Sequence, residues 1–176
     1  MKSKIVIILV FLSVSNVFAQ NLTEQDKKKL EYRKIAEHIL IEQYLRQGNN
    51  PISVLGYHFD TYINDNYFFN LAIFGAIEGN SGGYGIAACG IGYDQKILDN
   101  LVWDSRIFVG SGGGGGVPAG GGLAIEAQTG FSYKIVDGFS VDIKYGYLKF
   151  LSGSFESPVI NFGISYQYNY LYLPLN

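Results

Sequence analysis

The stretch that decides the fold lies at the C-terminal end and reads Pro158-Val-Ile-Asn-Phe-Gly-Ile-Ser-Tyr-Gln-Tyr-Asn-Tyr-Leu-Tyr172. Large apolar or aromatic residues occupy every second position from Ile160 to Tyr170, and glycine, serine or amide residues lie between them. This period of two is typical of a β-strand with one apolar and one polar face. The remaining candidate strands, several with the same alternation, are residues 51–63, 66–78, 83–93, 100–111, 120–135 and 138–150.

These segments are long, since strands of soluble proteins average about 5 or 6 residues. A tilted strand needs about 9 to 11 residues to cross a bilayer, and each segment reaches that length. The apolar faces, with tyrosine concentrated toward the strand ends, are therefore expected to meet lipid. Seven strands are counted, whereas bacterial single-chain barrels have even numbers from eight upward. An eighth strand is predicted, with the glycine-rich residues 110–122 as its candidate position.

The N-terminal region predicts an export signal and one helix. Lys2 and Lys4 precede a short apolar run and Ala19 ends the segment, so residues 1–19 are predicted to be a cleaved signal peptide. Apolar residues then recur at helical spacing within residues 23–46, at Tyr32, Ile35, Ala36, Ile39 and Leu40. Residues 20–50 are predicted to be an amphipathic helix and linker before a barrel of residues 51–176. The helix is expected to pack on its own domain, with a lumen plug or a membrane-surface foot as alternatives.

Composition excludes several classes of protein. The chain has 176 residues with 23 glycines, 14 tyrosines, one cysteine and a net charge of −2. Only 16% of the residues are charged, so the chain is neither disordered nor basic enough to bind nucleic acid. The lone Cys89 excludes a disulfide scaffold. One exported domain without a cofactor or metal is predicted.

After the signal, the whole chain resembles a small bacterial outer-membrane β-barrel protein. The last strand carries the most specific part of this resemblance. In that group the barrel assembly machinery recognises a pattern in the closing strand, and Asn161, Gly163, Tyr166 and Tyr168 fit this pattern. The chain departs from the pattern because residues 169–176 follow the aromatic residue. The resemblance implies an all-β, antiparallel up-and-down transmembrane barrel in the cell outer membrane of a Gram-negative bacterium. Outer-membrane lipid and the assembly machinery are the partners that it implies.

The polar faces predict a charged lumen. Assigned by alternation, its members are Asp60, Glu78, Asp104, Arg106, Glu126, Lys134, Asp142 and Lys144. Buried charges must be paired or hydrated, so these groups are expected to form ion pairs that fill the lumen. A cation-preferring pore is the alternative.

Few residues suggest catalysis. His58 and Asp60 share a polar face, and a hydrolase would use them as base and orienting group, but no nucleophile elbow accompanies them. A helix placed before a barrel also resembles the outer-membrane palmitoyltransferase of lipid A, although no motif carries over that enzyme's catalytic residues. Residues 110–122 lack the Gly-Lys-Ser/Thr of a phosphate loop and are interpreted as a flexible hairpin. Their bare surface is expected to accommodate the helix of residues 23–46.

The sequence thus predicts a non-catalytic outer-membrane barrel with a structural, adhesive or binding role in the cell envelope. Contacts through loops such as residues 79–83 and 151–157 are expected, since barrels carry variable function in their loops. One alternative is a lipid-modifying enzyme that uses His58 and Asp60. Another is a soluble periplasmic β-sandwich or lipocalin-like carrier whose aromatic face is internal.

Overall fold

Eight antiparallel β-strands make up most of the computed structural model, which describes residues 31–45, 51–78 and 81–172. The strands are β1 (Glu31–Tyr44), β2 (Ile52–Tyr62), β3 (Tyr67–Glu78), β4 (Gly85–Leu98), β5 (Leu101–Gly113), β6 (Leu123–Val136), β7 (Phe139–Phe150) and β8 (Glu156–Tyr172). Each strand pairs with the next along the chain and β8 returns to β1, so the sheet closes into a barrel. The predicted up-and-down barrel of eight strands is confirmed. No helix in the described part of the chain is long and apolar enough to cross a bilayer.

The eighth strand is β1, which occupies part of the segment predicted to be helical. It pairs antiparallel with β2, so the helix predicted within residues 20–50 is wrong over the length of β1. The rest of that segment, apart from Leu45, and the signal peptide lie outside the described residues. The error arose because both faces of β1 carry apolar residues. Ile39 and Ile41 point outward, 55% and 46% exposed, whereas Leu40 points inward and is 3% exposed. The adjacent apolar pair Ile39 and Leu40 imitates helical spacing, and the barrel begins at β1 rather than at residue 51.

The chain divides into two units. The larger unit is Lys34–Asn169, to which the lumen and the loops belong. Residues 31–33 and 170–172, at the outer ends of β1 and β8, belong to the other unit.

Alternation along β7 illustrates how the sequence sets the two sides of the wall. Ile143 and Tyr145 point outward and are 51% and 56% exposed, whereas Lys144 and Leu148 point inward and are 3% and 1% exposed. The other strands place large apolar side chains outward as well, among them Leu71, Ile73, Ile91, Ile107, Phe131 and Ile164. A soluble sandwich or carrier would turn these residues inward. The closed barrel with an apolar outer wall therefore does not fit the soluble alternative.

Connections between the strands differ at the two ends of the barrel. One end, here called the turn end, has the short connections of residues 63–66, 99–100 and 137–138. The opposite end, here called the loop end, has the connections that follow β1, β3, β5 and β7, of which residues 81–84, 114–122 and 151–155 are described.

The glycine-rich segment finishes β5 and forms the loop that leads to β6. Gly115 has a φ of 58°, and a side chain there would collide with the carbonyl of Ser81 in the neighbouring loop. The Ser154 amide donates to the Pro118 carbonyl at 3.1 Å, which ties this loop to the β7–β8 loop. The glycine surface thus lies against other loops of the barrel. The prediction that it accommodates a helix is wrong for residues 31–45, because their strand, β1, is part of the wall.

Candidate functional site

The polar faces of the strands bring six charged side chains together in the lumen as a group here called the ionic layer. Each is at most 5% exposed, and the members are His38, Asp60, Asp104, Arg106, Asp142 and Lys144. They come from β1, β2, β5 and β7, so the group spans the lumen.

Arg106 has the most partners in the ionic layer. Its Nε donates to Asp104 Oδ1 at 2.9 Å, and its terminal nitrogens contact Asp60 Oδ2 at 3.2 Å and His58 Nδ1 at 3.2 Å. A terminal nitrogen also donates to the second oxygen of Asp104, so that pair is bidentate. The guanidinium carbon lies 4.9 Å from the centre of the Phe68 ring, within the range of a cation–π contact. A bidentate pair of this kind holds the Arg106 guanidinium in one orientation and keeps its positive charge beside the Asp104 carboxylate.

His38 joins two carboxylates. Its Nε2 lies 2.9 Å from Asp60 Oδ2 and its Nδ1 lies 3.0 Å from Asp142 Oδ2. Two carboxylate partners require both ring nitrogens to donate, which describes the imidazolium form. The ionic layer then holds three carboxylates (Asp60, Asp104, Asp142) and three cations (His38, Arg106, Lys144), so its charges balance.

Lys144 enters the ionic layer across a glycine. Asp104, Gly130 and Lys144 are direct neighbours on β5, β6 and β7, and Lys144 Nζ reaches Asp104 Oδ1 at 3.1 Å. A Cβ on Gly130 would lie 2.8 Å from Lys144 Cγ, closer than carbon atoms pack. The bare glycine therefore leaves the space through which the lysine crosses the strand.

A second polar group lies beside the ionic layer and contains the two glutamates here called the carboxylate pair, Glu42 and Glu126. Gln128 Nε2 donates to Glu42 Oε1 at 2.7 Å and to Glu126 Oε1 at 2.6 Å. Asn161 Nδ2 donates to Gln128 Oε1 at 2.9 Å and lies 3.4 Å from Glu42 Oε1. All four side chains are at most 3% exposed. Over the described ranges, no three His, Cys, Asp or Glu side chains form a metal cluster.

Toward the loop end, the lumen is filled by buried aromatic and aliphatic residues that we call the apolar cap, whose members include Leu40, Tyr44, Tyr84, Val117, Ala119, Phe150 and Phe155. The Tyr44 ring lies 5.9 Å from that of Tyr84 and 6.0 Å from that of Phe155, with edge-on geometry. Val117 and Ala119 of the glycine-rich loop are buried in the same cluster.

Toward the turn end, Lys34 Nζ lies 3.5 Å from Asp94 Oδ2. The lumen thus contains polar layers and an apolar cap in series.

The catalytic candidates His58 and Asp60 do not form the arrangement that hydrolysis needs. His58 is fully buried, and its ring lies 5.1 Å from that of Phe74 and 5.2 Å from that of Phe108. Its Nδ1 faces Arg106, and its Nε2 has no hydrogen-bond partner among the described residues. Asp60 orients His38 and Arg106 instead of His58. A buried histidine that contacts neither a nucleophile nor an orienting carboxylate does not make a triad.

Six of the eight residues assigned to the lumen lie inside the barrel, namely Asp60, Asp104, Arg106, Glu126, Asp142 and Lys144. Lys134 instead has a 47% exposed side chain and pairs with Asp137 of the turn at 2.7 Å. Glu78 ends β3, is exposed and lies 3.4 Å from Ser53 Oγ. Both residues lie near the end of a strand, where the alternation of the sequence no longer predicts that a side chain points into the lumen.

The predicted list of lumen residues leaves out several buried polar side chains, among them His38, Glu42, Asn70, Asp94, Gln128 and Asn161. His38 and Glu42 were hidden by the helix prediction, although they alternate with Ile39 and Ile41. Alternation places Asn70, Gln128 and Asn161 on the polar faces of their strands, and all three are buried there, but their part in the polar network was not predicted.

The residues of the predicted assembly signal lie along β8. Asn161 points into the lumen, and a Cβ on Gly163 would come within 2.8 Å of Leu40 Cβ on β1. Tyr166 is 42% exposed on the outer wall, and Tyr168 donates to Glu37 Oε1 of β1 at 2.7 Å. These contacts place the segment at the seam where the barrel closes.

Several solved structures with a similar fold are membrane barrels. A transmembrane β-barrel designed de novo superimposes with a TM-score of 0.59 and 10% identity, over 77% of this chain and 95% of that chain. The N-terminal barrel domain of Pseudomonas aeruginosa OprF gives a TM-score of 0.58 at 9% identity, over 77% and 97% of the two chains. The Yersinia pestis outer membrane protein Ail gives a TM-score of 0.53 at 11% identity, over 77% and 99%.

The chain has the fold of a small bacterial outer-membrane β-barrel. At these identities the likeness concerns the fold alone. No protein-family model matches the sequence, and no curated protein matches it either.

Proposed function

We propose that this chain is an exported outer-membrane β-barrel protein with a non-catalytic structural, adhesive or binding role in the envelope of a Gram-negative bacterium. The observation that carries the proposal is the closed barrel whose outer wall is apolar and whose lumen is filled. A wall of this kind is stable in lipid, because a closed sheet has no free edge and its strands satisfy one another's backbone hydrogen bonds. Outer-membrane lipid and the barrel assembly machinery are the partners that follow.

Aromatic residues on the outer wall near the turn end support an interfacial position. The rings of Tyr67 and Tyr93 lie 4.9 Å apart, those of Tyr93 and Trp103 lie 6.2 Å apart, and those of Phe139 and Tyr166 lie 4.5 Å apart. Such girdles occupy the boundary between lipid and water. Barrels of this type have short periplasmic turns and longer external loops. The turn end would therefore face the periplasm and the loop end the cell exterior.

The filled lumen favours a role in binding over a role in transport. An ion would have to pass both the ionic layer and the apolar cap, where Tyr44, Phe150 and Phe155 are at most 1% exposed. Eight-stranded interiors are just wide enough for side chains, which agrees with packing of this kind. The loop end is then the surface left for an external partner.

The chemistry of the loop end narrows the class of partner. The loops of residues 81–84, 114–122 and 151–155 contain no lysine, arginine, aspartate or glutamate, and the β1–β2 connection at the same end adds one basic residue, Arg46. Ail is described as an attachment invasion locus protein, and its crystal structure has been solved with the heparin analogue sucrose octasulfate. A polysulfated ligand needs several basic side chains, whereas the connections at this end contain one. An uncharged partner that bonds to exposed backbone and serine hydroxyls fits this surface better.

Fractionation of cells that express the full-length protein tests the proposal. Detergent-dependent extraction from the outer membrane, with a faster gel band before boiling than after, is expected. The purified protein in a planar bilayer should give no steady ion conductance. Recovery in the soluble periplasmic fraction would refute the membrane assignment, and a stable conductance would refute the filled lumen.

Binding is tested on the cell surface. Replacing residues 114–122 by a short Gly-Asn turn should leave the heat-modifiable band in place and abolish attachment to host cells or matrix. If attachment were unchanged, the loop end would not be the binding surface.

A further inference from the structure

Glu37 is an acidic residue on the outer side of the barrel wall. On β1 it lies between the inward residues Ala36 and His38, which are 4% and 5% exposed, and it shares the outward face with Ile39. The Glu37 side chain itself is half-buried. A charged group on the lipid side of a membrane barrel is destabilising unless something compensates its charge. An ionisable residue in such a place therefore indicates a site with a partner of opposite charge.

Contacts across the β1–β8 seam place Glu37 at the level of the aromatic girdle near the turn end. Gly163 of β8 lies against Leu40 of β1. Since the two strands are antiparallel, three residues further toward the turn end Glu37 lies opposite Tyr166. The Tyr166 ring packs 4.5 Å from that of Phe139 in the girdle. Glu37 therefore lies near the boundary between hydrocarbon and lipid headgroups.

Tyrosine side chains lie on both sides of the Glu37 carboxylate. Tyr168 OH donates to Glu37 Oε1 at 2.7 Å, and the Tyr168 ring stacks on that of Tyr166 with 5.6 Å between centres and 25° between planes. The Tyr57 hydroxyl of β2 lies close to the same carboxylate. These hydroxyls are neutral, and a carboxylate has about four acceptor positions, so both charge and hydrogen-bonding capacity remain. The adjacent rings would stabilise a bound cation further.

The described residues leave the charge of Glu37 without a counter-ion. Three exposed acids at or next to strand ends each pair with a lysine, at 2.9 Å for Asp99, 2.7 Å for Asp137 and 3.0 Å for Glu156. Within the described ranges, no lysine, arginine or histidine forms an ion pair with Glu37. A positive group from outside the chain would complete the site.

We propose that Glu37, with Tyr57 and Tyr168, binds the primary ammonium group of a phospholipid headgroup, and that the lipid is phosphatidylethanolamine. The ammonium balances the carboxylate, and its N–H groups donate charge-assisted hydrogen bonds to the remaining acceptor positions. The quaternary ammonium of phosphatidylcholine has no N–H to donate. Headgroups are present at this level only if the barrel spans a membrane, so the site rests on the proposed function.

Native mass spectrometry tests the site on barrels purified from outer membranes and reconstituted into nanodiscs. The discs contain equal amounts of phosphatidylethanolamine and phosphatidylcholine with identical acyl chains. The parent chain should retain the first lipid over the second by about fivefold, the upper end for an exposed ion pair. Glu37→Gln keeps the size of the side chain and should remove the preference. Glu78→Gln is the matched control, because Glu78 is exposed at the end of β3, and it should keep the preference.

A second measurement needs only the parent chain and keeps the test decisive if Glu37→Gln folds poorly. Discs are prepared with phosphatidylethanolamine that carries no, one, two or three N-methyl groups. Retention should fall as N–H donors are lost and should be lowest for the trimethyl lipid, which keeps the charge but has no donor. A lipid held only by its acyl chains would be retained equally in all four forms.

Two results would overturn the proposal. One is equal retention of the four headgroups by the parent chain, which is also expected if Glu37 serves a basic residue of a partner protein. The other is an unchanged preference in Glu37→Gln. Both are measured on chains that give the heat-modifiable band, so they leave the membrane barrel intact. Failure of the proposed function would instead appear as recovery in the soluble periplasmic fraction.

Discussion

Replacing Arg106 by methionine tests whether the ionic layer stabilises the barrel. Methionine has a similar length and no charge, so packing against Phe68 is largely kept while the contacts to Asp60, Asp104 and His58 are lost. The layer then holds three carboxylates against two cations, Lys144 and His38. Asp104 keeps Lys144 at 3.1 Å, so it is not left entirely without a partner.

The expected cost follows from the burial of this network. Removing one partner of a buried ion pair costs about 3–5 kcal/mol, because the remaining charge has no counter-ion. Since Asp60 and Asp104 each keep a second cation, we expect the lower end, about 3 kcal/mol. Asp104→Asn in the same chain restores the balance at two carboxylates and two cations. The double variant should then recover about 2 kcal/mol of the loss as a coupling energy.

Urea unfolding from lipid vesicles measures these free energies. Trp103 is the only tryptophan and lies on β5. Its fluorescence should therefore change when the barrel wall unfolds and leaves the bilayer. The parent chain, both single variants and the double variant complete a thermodynamic cycle. If Arg106→Met unfolded within about 0.5 kcal/mol of the parent chain, or the cycle gave no coupling, the ionic layer would not stabilise the barrel.

Three further outcomes are expected. Gly92→Ala should lower the free energy of unfolding by about 1–3 kcal/mol in the same urea assay, because the new methyl group overlaps the buried phenylalanine ring opposite it. Gly82→Ala is the control, and since a Cβ there has nothing within 4 Å, it should change the free energy of unfolding by less than about 0.5 kcal/mol. Gly115→Ala should make residues 114–122 sensitive to protease, and Gly116→Ala should do so less, since both have positive φ but only the first collides with a carbonyl; equal sensitivity would contradict this packing of the loop. Intact mass of the exported protein should match a chain beginning at Gln20, and a mass that includes residues 1–19 would refute cleavage of the signal.

Strand positions could be predicted closely from the sequence, because an apolar outer wall and a polar lumen reinforce the period of two. The segment predicted as residues 66–78 is β3 (Tyr67–Glu78), and the one predicted as residues 138–150 is β7 (Phe139–Phe150). β1 escaped the same reasoning because its inner face contributes Leu40 and Tyr44 to the apolar cap. Where a barrel packs apolar residues inside as well as outside, alternation loses contrast. Pairing with a partner strand then decides the structure, and one sequence does not show pairing.

The ionic layer had a stronger signal than alternation, namely a pattern repeated 38 positions apart. Residues 92–106 read GYDQKILDNLVWDSR and residues 130–144 read GFSYKIVDGFSVDIK, with glycine, lysine, isoleucine and two aspartates at equivalent positions. Both hairpins form the same local structure. Each has an irregular register just before the turn and a lysine–aspartate pair across it, at 2.9 Å for Lys96 and Asp99 and 2.7 Å for Lys134 and Asp137.

The same repeat accounts for the chemistry of the lumen. In each hairpin the second strand carries aspartate and, two residues later, a basic residue on the same inward face, which gives Asp104 with Arg106 and Asp142 with Lys144. The first strand places a glycine directly opposite the base, since Gly92 pairs with Arg106 and Gly130 with Lys144. The space above each glycine is filled from a neighbouring strand, by the Phe68 ring over Gly92 and by the Lys144 stem over Gly130. A glycine that faces the lumen is therefore where this barrel accommodates its largest inward side chains, and four of the six groups of the ionic layer follow from one hairpin pattern used twice.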